Sequence, residues 1–504
     1  MKAIVAFAFY LLTTICCFST TWHVGPTRTY TLPSQVRLLV SDGDTIYIDG
    51  AIYSNDATKW INKNLQFIGL GTGANRTILR YSGDIPNAKG IFVFETPGTC
   101  DNAYIENIVF DGAQVSDANG GNGAAIRYQA NNLHVTNCKF MNCQNGILEG
   151  HNSVTGSNVI IENSEFENNG YQLSNDPNHS GYEHNIYIGA STDTLLVQNC
   201  YFHDPRGQAN SLKTRAQRSY ILNNMIDEAA GYGSWEINIA QGGLNVIIGN
   251  VIIQGPSSAN HGIVGYDAAT NLLEDFYFIN NTVINKFQGS MKYFNITPTS
   301  GITTFKIYNN IFASVPGTNN TMFTGNIPSV LDTLANINVS DYSTLGFRDP
   351  SINDYWLTST SNLAIDAGVS AGNTNTGYPL LPLNQFQSYN AALLPRTIVN
   401  GTIDIGAYEF ENMTGTSSEN ITNNGIVIYP NPSNGTIFLE GASSLTGIVK
   451  IELYNSFGQL VFTNEINFSK DRAMIHVPNF SEGIYFVKIT TCNSSITNKI
   501  IVLH

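Results

Sequence analysis

Residues Val135-Thr136-Asn137-Cys138-Lys139-Phe140 and Ile221-Leu222-Asn223-Asn224-Met225-Ile226 share one form, apolar-x-Asn-x-x-apolar. Asn107, Asn137, Asn163, Asn199, Asn223, Asn250, Asn280 and Asn309 each stand three positions before Phe110, Phe140, Phe166, Phe202, Ile226, Ile253, Val283 and Phe312. The seven steps between these asparagines cover 202 residues, about 29 per step, a period typical of stacked repeats. Strand-like segments flank each asparagine, and no long helical period appears. A side-chain amide can bond its own turn and the amide one rung above. Stacked asparagines therefore satisfy backbone polar groups where a chain bends inside a core. An ordinary β-sandwich with Asn-rich turns has no reason to keep such a series in step. The pattern predicts an all-β chain whose main body is a right-handed parallel β-helix, one coil per asparagine.

A chain of 504 residues allows two to four domains, or one large solenoid with additions. Its 45 glycines and 12% charged residues suit stacked strands and many turns. The net charge of −14 argues against nucleic acid as the main partner. Cys138 and Cys200 each follow a ladder asparagine, two coils apart. At about 4.8 Å per coil they stand roughly 10 Å apart, too far for a disulfide, and are expected as small buried hydrophobes. Lys2, the apolar run 3–12 and the small residues up to Thr20 read as a secretory signal peptide over residues 1–20. The run is too short to span a membrane, and no segment of the mature chain is predicted to cross one. A monomer is expected.

Residues 22–340 carry the coils. Asp42-Gly43-Asp44-Thr45-Ile46 feeds an alternating strand. It resembles the opening coil of secreted pectin-lyase-like β-helices, where a capping helix precedes it; residues 34–41 are the candidate. Over residues 341–411, Leu363-Ala364-Ile365-Asp366-Ala367-Gly368 and Asp404-Ile405-Gly406-Ala407-Tyr408-Glu409 resemble the closing segment of bacterial β-helix proteins, a C-terminal cap. Residues 412–424 are polar and aperiodic, a linker. Residues 425–504 alternate as a small antiparallel β-sandwich. There Tyr429-Pro430-Asn431-Pro432, Asn455-Ser456-Phe457-Gly458-Gln459 and Gly483-Ile484-Tyr485-Phe486 resemble the C-terminal sorting domain of the type IX secretion system. That resemblance implies outer-membrane secretion machinery as a partner, and release or surface attachment after export.

Chemistry is expected outside the packed coils. Four consecutive coils supply His184-Asn185-Ile186-Tyr187-Ile188, Asn210-Ser211-Leu212-Lys213-Thr214-Arg215, Trp235-Glu236-Ile237-Asn238-Ile239 and His261-Gly262-Ile263-Val264. Strict alternation turns the Ile and Leu residues inward and sends Asn185, Tyr187, Ser211, Lys213, Arg215, Glu236 and Asn238 outward. Arg206, Lys213, Arg215 and Arg218 concentrate positive charge on an acidic chain, which suggests an anionic ligand. Eliminative cleavage of a polyuronate removes the proton alpha to a carboxylate. It needs a base near neutral pKa and positive charge for the developing enolate. Lys213 beside Arg215 fits the base, and Tyr187 or His184 the group that protonates the leaving oxygen. Asn185, Ser211, Glu236, Asn238 and Arg206 are candidate substrate contacts, with Glu236 and Asn238 able to hold Ca²⁺ or sugar hydroxyls. Glu236 could equally pair with Lys213 or Arg215 as a structural contact. The insertion at 170–182 flanks the same coils.

The same strands resemble polysaccharide-lyase relatives, the group of alginate lyases and chondroitinase-B-like enzymes. The resemblance implies Lys213 as base. It also implies an arginine on the following coil, where this chain has Glu236 and Asn238. The paired aspartates of pectin-hydrolysing β-helices are absent from the pattern. Two readings follow: a lyase or epimerase acting on an acidic polysaccharide, or a non-catalytic protein that binds glycans or serves adhesion.

Overall fold

The computed structural model describes residues 19–150, 156–171, 179, 181–391 and 393–410, and seven strands between Val427 and Val502. Residues 1–18 of the expected signal peptide, the expected linker at 412–424 and residues 172–178 lie outside the described residues. Three parallel sheets of 12, 11 and 10 strands, here sheets A, B and C, make the body a parallel β-helix. Each coil visits them in turn, as in Leu133–Thr136, Lys139–Met141 and Asn145–Glu149. The ladder places Phe110, Phe140, Phe166 and Phe202 in one inward row. Their rings stack at 5.2, 4.7 and 4.7 Å. Such pairs add about 0.5–1.5 kcal/mol each beyond burial.

Conformation explains the asparagine row. Asn107, Asn137, Asn163, Asn199, Asn223, Asn280 and Asn309 have φ between 50 and 58°, a left-handed geometry that Asn tolerates better than most residues. Asn250 does not belong to this row. Gly249, at φ 70°, takes the left-handed place, and Ile252 rather than Ile253 lies in register with Ile226 and Val283. Asn250 sits one residue on, in an inner row with Asn224, Asn281 and Asn310. The amide nitrogen and Nδ2 of Asn224 donate to Asn250 Oδ1 at 2.9 and 3.0 Å. Asn250 donates to Asn281 at 2.9 and 3.0 Å, and Asn281 to Asn310 at 2.8 and 3.1 Å. Cys138 and Cys200 occupy the same inner position as buried free thiols, pushed up to about 12 by burial.

The ends differ from expectation in detail. Thr21–Val24 already pairs with Thr45–Ile48, and the helical piece before it is a short 3-10 turn at Pro33–Val36. Residues 341–410 run back along the flank of the coils. Phe347, Tyr355 and Tyr408 pack in one cluster with Val251, Ile253 and Ile284 of sheet B. Ala371 and Leu380 pack with Leu244, Val246 and Tyr277 of sheet A. Outer-row asparagines fasten the segment: Asn223 donates to Asn384 O at 2.7 Å and Asn309 to Val369 O at 2.7 Å. A buried Arg396–Glu409 ion pair at 2.9 Å closes it.

The chain divides into two compact units between Glu411 and Asn412. The tail holds antiparallel sheets of three and four strands, with Ile451, Leu453, Val487, Ile489 and Ile500 buried. Among the described residues, no helix is long and apolar enough to cross a membrane.

Candidate functional site

The outer face of sheet C carries a row of residues set by the ladder. Arg127 pairs with Leu148, Leu148 with Tyr187, Tyr187 with Lys213, Lys213 with Asn238, and Asn238 with Gly265. The next residues along those strands, Tyr128, Ile188, Thr214 and Ile239, are buried, as are the preceding Ile186, Leu212 and Ile237. Alternation therefore sends Tyr187, Lys213 and Asn238 outward, about 5 Å apart from coil to coil. Arg215 reaches back over the Tyr187 ring, its Cζ 5.8 Å from the centroid. Asn238 Nδ2 donates to Asp267 Oδ2 at 2.9 Å. Trp235 lies over Gly262 and Gly265, where a Cβ would meet the indole at 2.5 and 3.0 Å. Lys292 Nζ stands 5.4 Å from the same ring. Arg127, Trp235, Asp267 and Lys292 were not singled out from sequence. The parallel position of Arg127 in Ala125-Ile126-Arg127-Tyr128 was the available signal.

Lys213 is half-buried, and no ion pair or hydrogen bond holds its ammonium among the described residues. Burial and then the Arg215 charge lower its pKa from the ordinary lysine value, with Asp267 opposing. Burial likewise lowers that of Arg127. His184 is 3% exposed. Its Nδ1 lies 3.0 Å from Asn210 Nδ2, so Nδ1 accepts and the proton is assigned to Nε2. Burial, followed by Lys213 and Arg215, holds its pKa well below the usual histidine range. His184 is therefore neutral near pH 7 and stacks on Tyr187 at 5.2 Å, which suits orientation rather than proton donation.

Four expected positions change. Asn185, Ser211 and Glu236 face the coil interior and are buried. Each strand enters sheet C through a bend at which two successive residues point inward: Ala125 and Ile126, Asn185 and Ile186, Ser211 and Leu212, Ile263 and Val264. The ladder skips the first of each pair, and a Cβ on Gly146 at this position would meet the core ring of Phe166 at 3.0 Å. Asn185 Oδ1 accepts from Asn169 Nδ2 at 2.9 Å inside the coil. Glu236 cannot share a cation with Asn238, because the two lie on opposite sides of the strand, nor pair with Lys213. Arg206 is the fourth. It sits in the turn between sheets B and C and lines a groove there with Arg80, Asp111 and Tyr171.

Of the 170–182 insertion, Tyr171 and His179 stack at 3.4 Å. His179 bonds Glu183 at 2.5 Å and Asp117 at 3.0 Å. Among the described residues, Glu165, Glu167 and His203 on sheet B form a donor set that could hold a metal. Lys139 already stands against both carboxylates, 3.1 Å from Glu165. Burial opposes ionisation of Glu165, yet His203, Tyr389 and Lys139 pull its carboxyl down to about 2.

Residues 427–503 match the secretion system C-terminal sorting domain. This tail marks the chain for export through the type IX secretion system, to the cell surface or the medium. The solved structures similar to this chain include two. One is a PL6 family alginate lyase, AlyGC, at 13% identity and TM-score 0.34, covering 69% of this chain. The alignment spans 58% of that lyase. The other is the tailspike protein gp49 of Acinetobacter baumannii bacteriophage Fri1, a capsular polysaccharide depolymerase. It is 11% identical at TM-score 0.22, covering 96% of this chain and 78% of its own. No curated protein matches the sequence.

Proposed function

We propose that the outer face of sheet C binds an acidic polysaccharide and cleaves it by elimination, with Lys213 as the base. The observation that carries this reading is the half-buried Lys213 ammonium, without an ion-pair partner and lowered in pKa, set between Tyr187 and Asn238 and beside Arg215. A lysine so placed has a larger neutral fraction near pH 7 and can take the proton from the carbon alpha to a uronate carboxylate. Arg215 offsets the charge that develops on that carboxylate. Tyr187, next to Lys213 in the ladder, gives its proton to the glycosidic oxygen as the C–O bond breaks. The electrons of the C–H bond become the new carbon–carbon double bond. If Tyr187 instead returns the proton to the other face of the same carbon, the outcome is epimerisation.

A second reading, glycan binding without turnover, has its own support. On the coil after Lys213 stands Asn238, which is buried rather than exposed as expected and is already bonded to Asp267, where a second cationic group would assist. A panel of alginate, pectate, glucuronan and glycosaminoglycans, followed by absorbance of the unsaturated uronate, separates the two. With turnover, Lys213→Ala should lower kcat by about a hundredfold or more, as for loss of a positioned general base. Full activity in Lys213→Ala would remove the assigned base. Silence of the native protein across the panel would leave binding or adhesion.

A further inference from the structure

A groove of about 780 Å³ runs along the turns between sheets B and C, away from the Lys213 row. Arg80 lines one end and Arg206 the other. Arg80 pairs in the ladder with Asp111, and the row continues through Met141, Glu167 and His203, three residues before Arg206. The ends are four coil steps apart, about 19 Å at the usual spacing. The acids along the wall are engaged internally. Asp111 accepts from Arg80 Nε at 2.7 Å and from Asn142 at 2.8 Å. Asp84 accepts from the Ser116 backbone and hydroxyl at 2.8 and 2.6 Å.

Arg80 is held by Asp111, whereas Arg206 keeps unused donors. Among the described residues, Arg206 Nη2 meets only the Gly170 carbonyl, at 3.4 Å. Its Nε is buried without a partner, and among the described residues no carboxylate lies within ion-pair distance. An arginine fork left open in a polar groove is suited to a carboxylate, which it binds through two parallel bonds. The coil rise matches the rise of one pyranose in an extended chain, so successive turns can meet successive sugars.

We propose that this groove is a separate binding site for an acidic oligosaccharide of about four residues, lying along the coil axis from Arg206 toward Arg80, with a uronate carboxylate at Arg206. The site holds polymer independently of any turnover at Lys213. The test is hydrogen exchange of the full chain with tetramannuronate, tetragalacturonate, neutral cellotetraose and tetraglutamate. One of the two uronate tetramers should protect segments 80–84, 111–116 and 204–209. Arg206→Gln should weaken that protection about tenfold in affinity and leave turnover of short substrates at the Lys213 face unchanged. Lys213→Ala should leave the groove protected. Absence of protection by both uronates overturns the proposal, as does equal protection by cellotetraose or tetraglutamate, or an unchanged affinity in Arg206→Gln. Should Arg206→Gln fail to fold, Arg206→Lys serves: it keeps the charge and loses the fork, and an unchanged affinity there would likewise count against a bidentate carboxylate site.

Discussion

Glu228 and Glu236 are buried in the corner of one coil. Among the described residues, neither oxygen of Glu236 has a partner. Glu228 accepts from Gly255 N at 3.0 Å, beside Ser258 and Gln254, whose side chains bond at 2.9 Å. Burial raises both carboxyls, Glu228 to about 8 and Glu236 well above its ordinary value; the Glu228 charge adds to the rise at Glu236, and Asp227 to that at Glu228. Burial also raises Glu149 to about 7. A carboxyl whose folded pKa is raised contributes stability that is fully present below the unfolded value near 4.5 and is lost as pH rises through the folded value. Glu165, held at about 2, does the reverse: its contribution is present above 4.5 and is lost as pH falls toward 2. The melting temperature should therefore peak near pH 5 and decline toward pH 9. Glu236→Gln should flatten the alkaline decline, since its amide carries no charge at any pH. Calorimetry across that range decides it; an unchanged slope in Glu236→Gln would mean that water or a cation already compensates the pair.

At the scale of the element, the coils were legible and the strand entries were not. Period and apolar partner identify the turn between sheets A and B, because a left-handed backbone and a buried amide ladder both select asparagine there. The two rows lie one residue apart, which is why Asn250 looked equivalent to Asn223 although Gly249 is. Alternation placed Tyr187, Lys213 and Asn238 correctly on the outer face. It failed at Asn185, Ser211 and Glu236, because a bend that turns two residues inward leaves no mark in a period of two. Arg206 was misplaced for a similar reason: nearness in sequence to Lys213 does not reveal that a turn separates them. The two ladders should differ in energy. Asn137 is exposed, at φ 51°, so Asn137→Gly should keep stability within about 0.5 kcal/mol, glycine being at ease there. Asn281 is fully buried and also donates to Ile247 O at 2.9 Å. Asn281→Ala would leave the Asn250 amide without its acceptor, at a cost of about 1–3 kcal/mol. Urea denaturation of both variants measures the difference, and similar losses would show that the inner amides add nothing beyond the turn.

The whole molecule joins a body stabilised by its own stacked coils to a tail that carries an address. The chain forms two compact units, divided between Glu411 and Asn412, and the flank of residues 341–410 is tied to sheets A and B by packing, by outer-row asparagines and by the buried Arg396–Glu409 pair. None of those ties involves the sorting domain matched over residues 427–503. Removal of residues 412–504 should therefore leave the melting temperature of the coils within about 2 °C, roughly what a 1–2 kcal/mol change causes in a body of this size. The truncated protein should stay in the periplasm of a secreting host while the full chain reaches the surface or medium. If the substrate face works as proposed, the truncated and full proteins should share one kcat on a polyuronate, because Lys213, Arg215 and Tyr187 lie in the same rigid sheet. A truncated body that melts far lower would show that the tail also supports the coils, and normal export without the tail would show that another segment carries the signal.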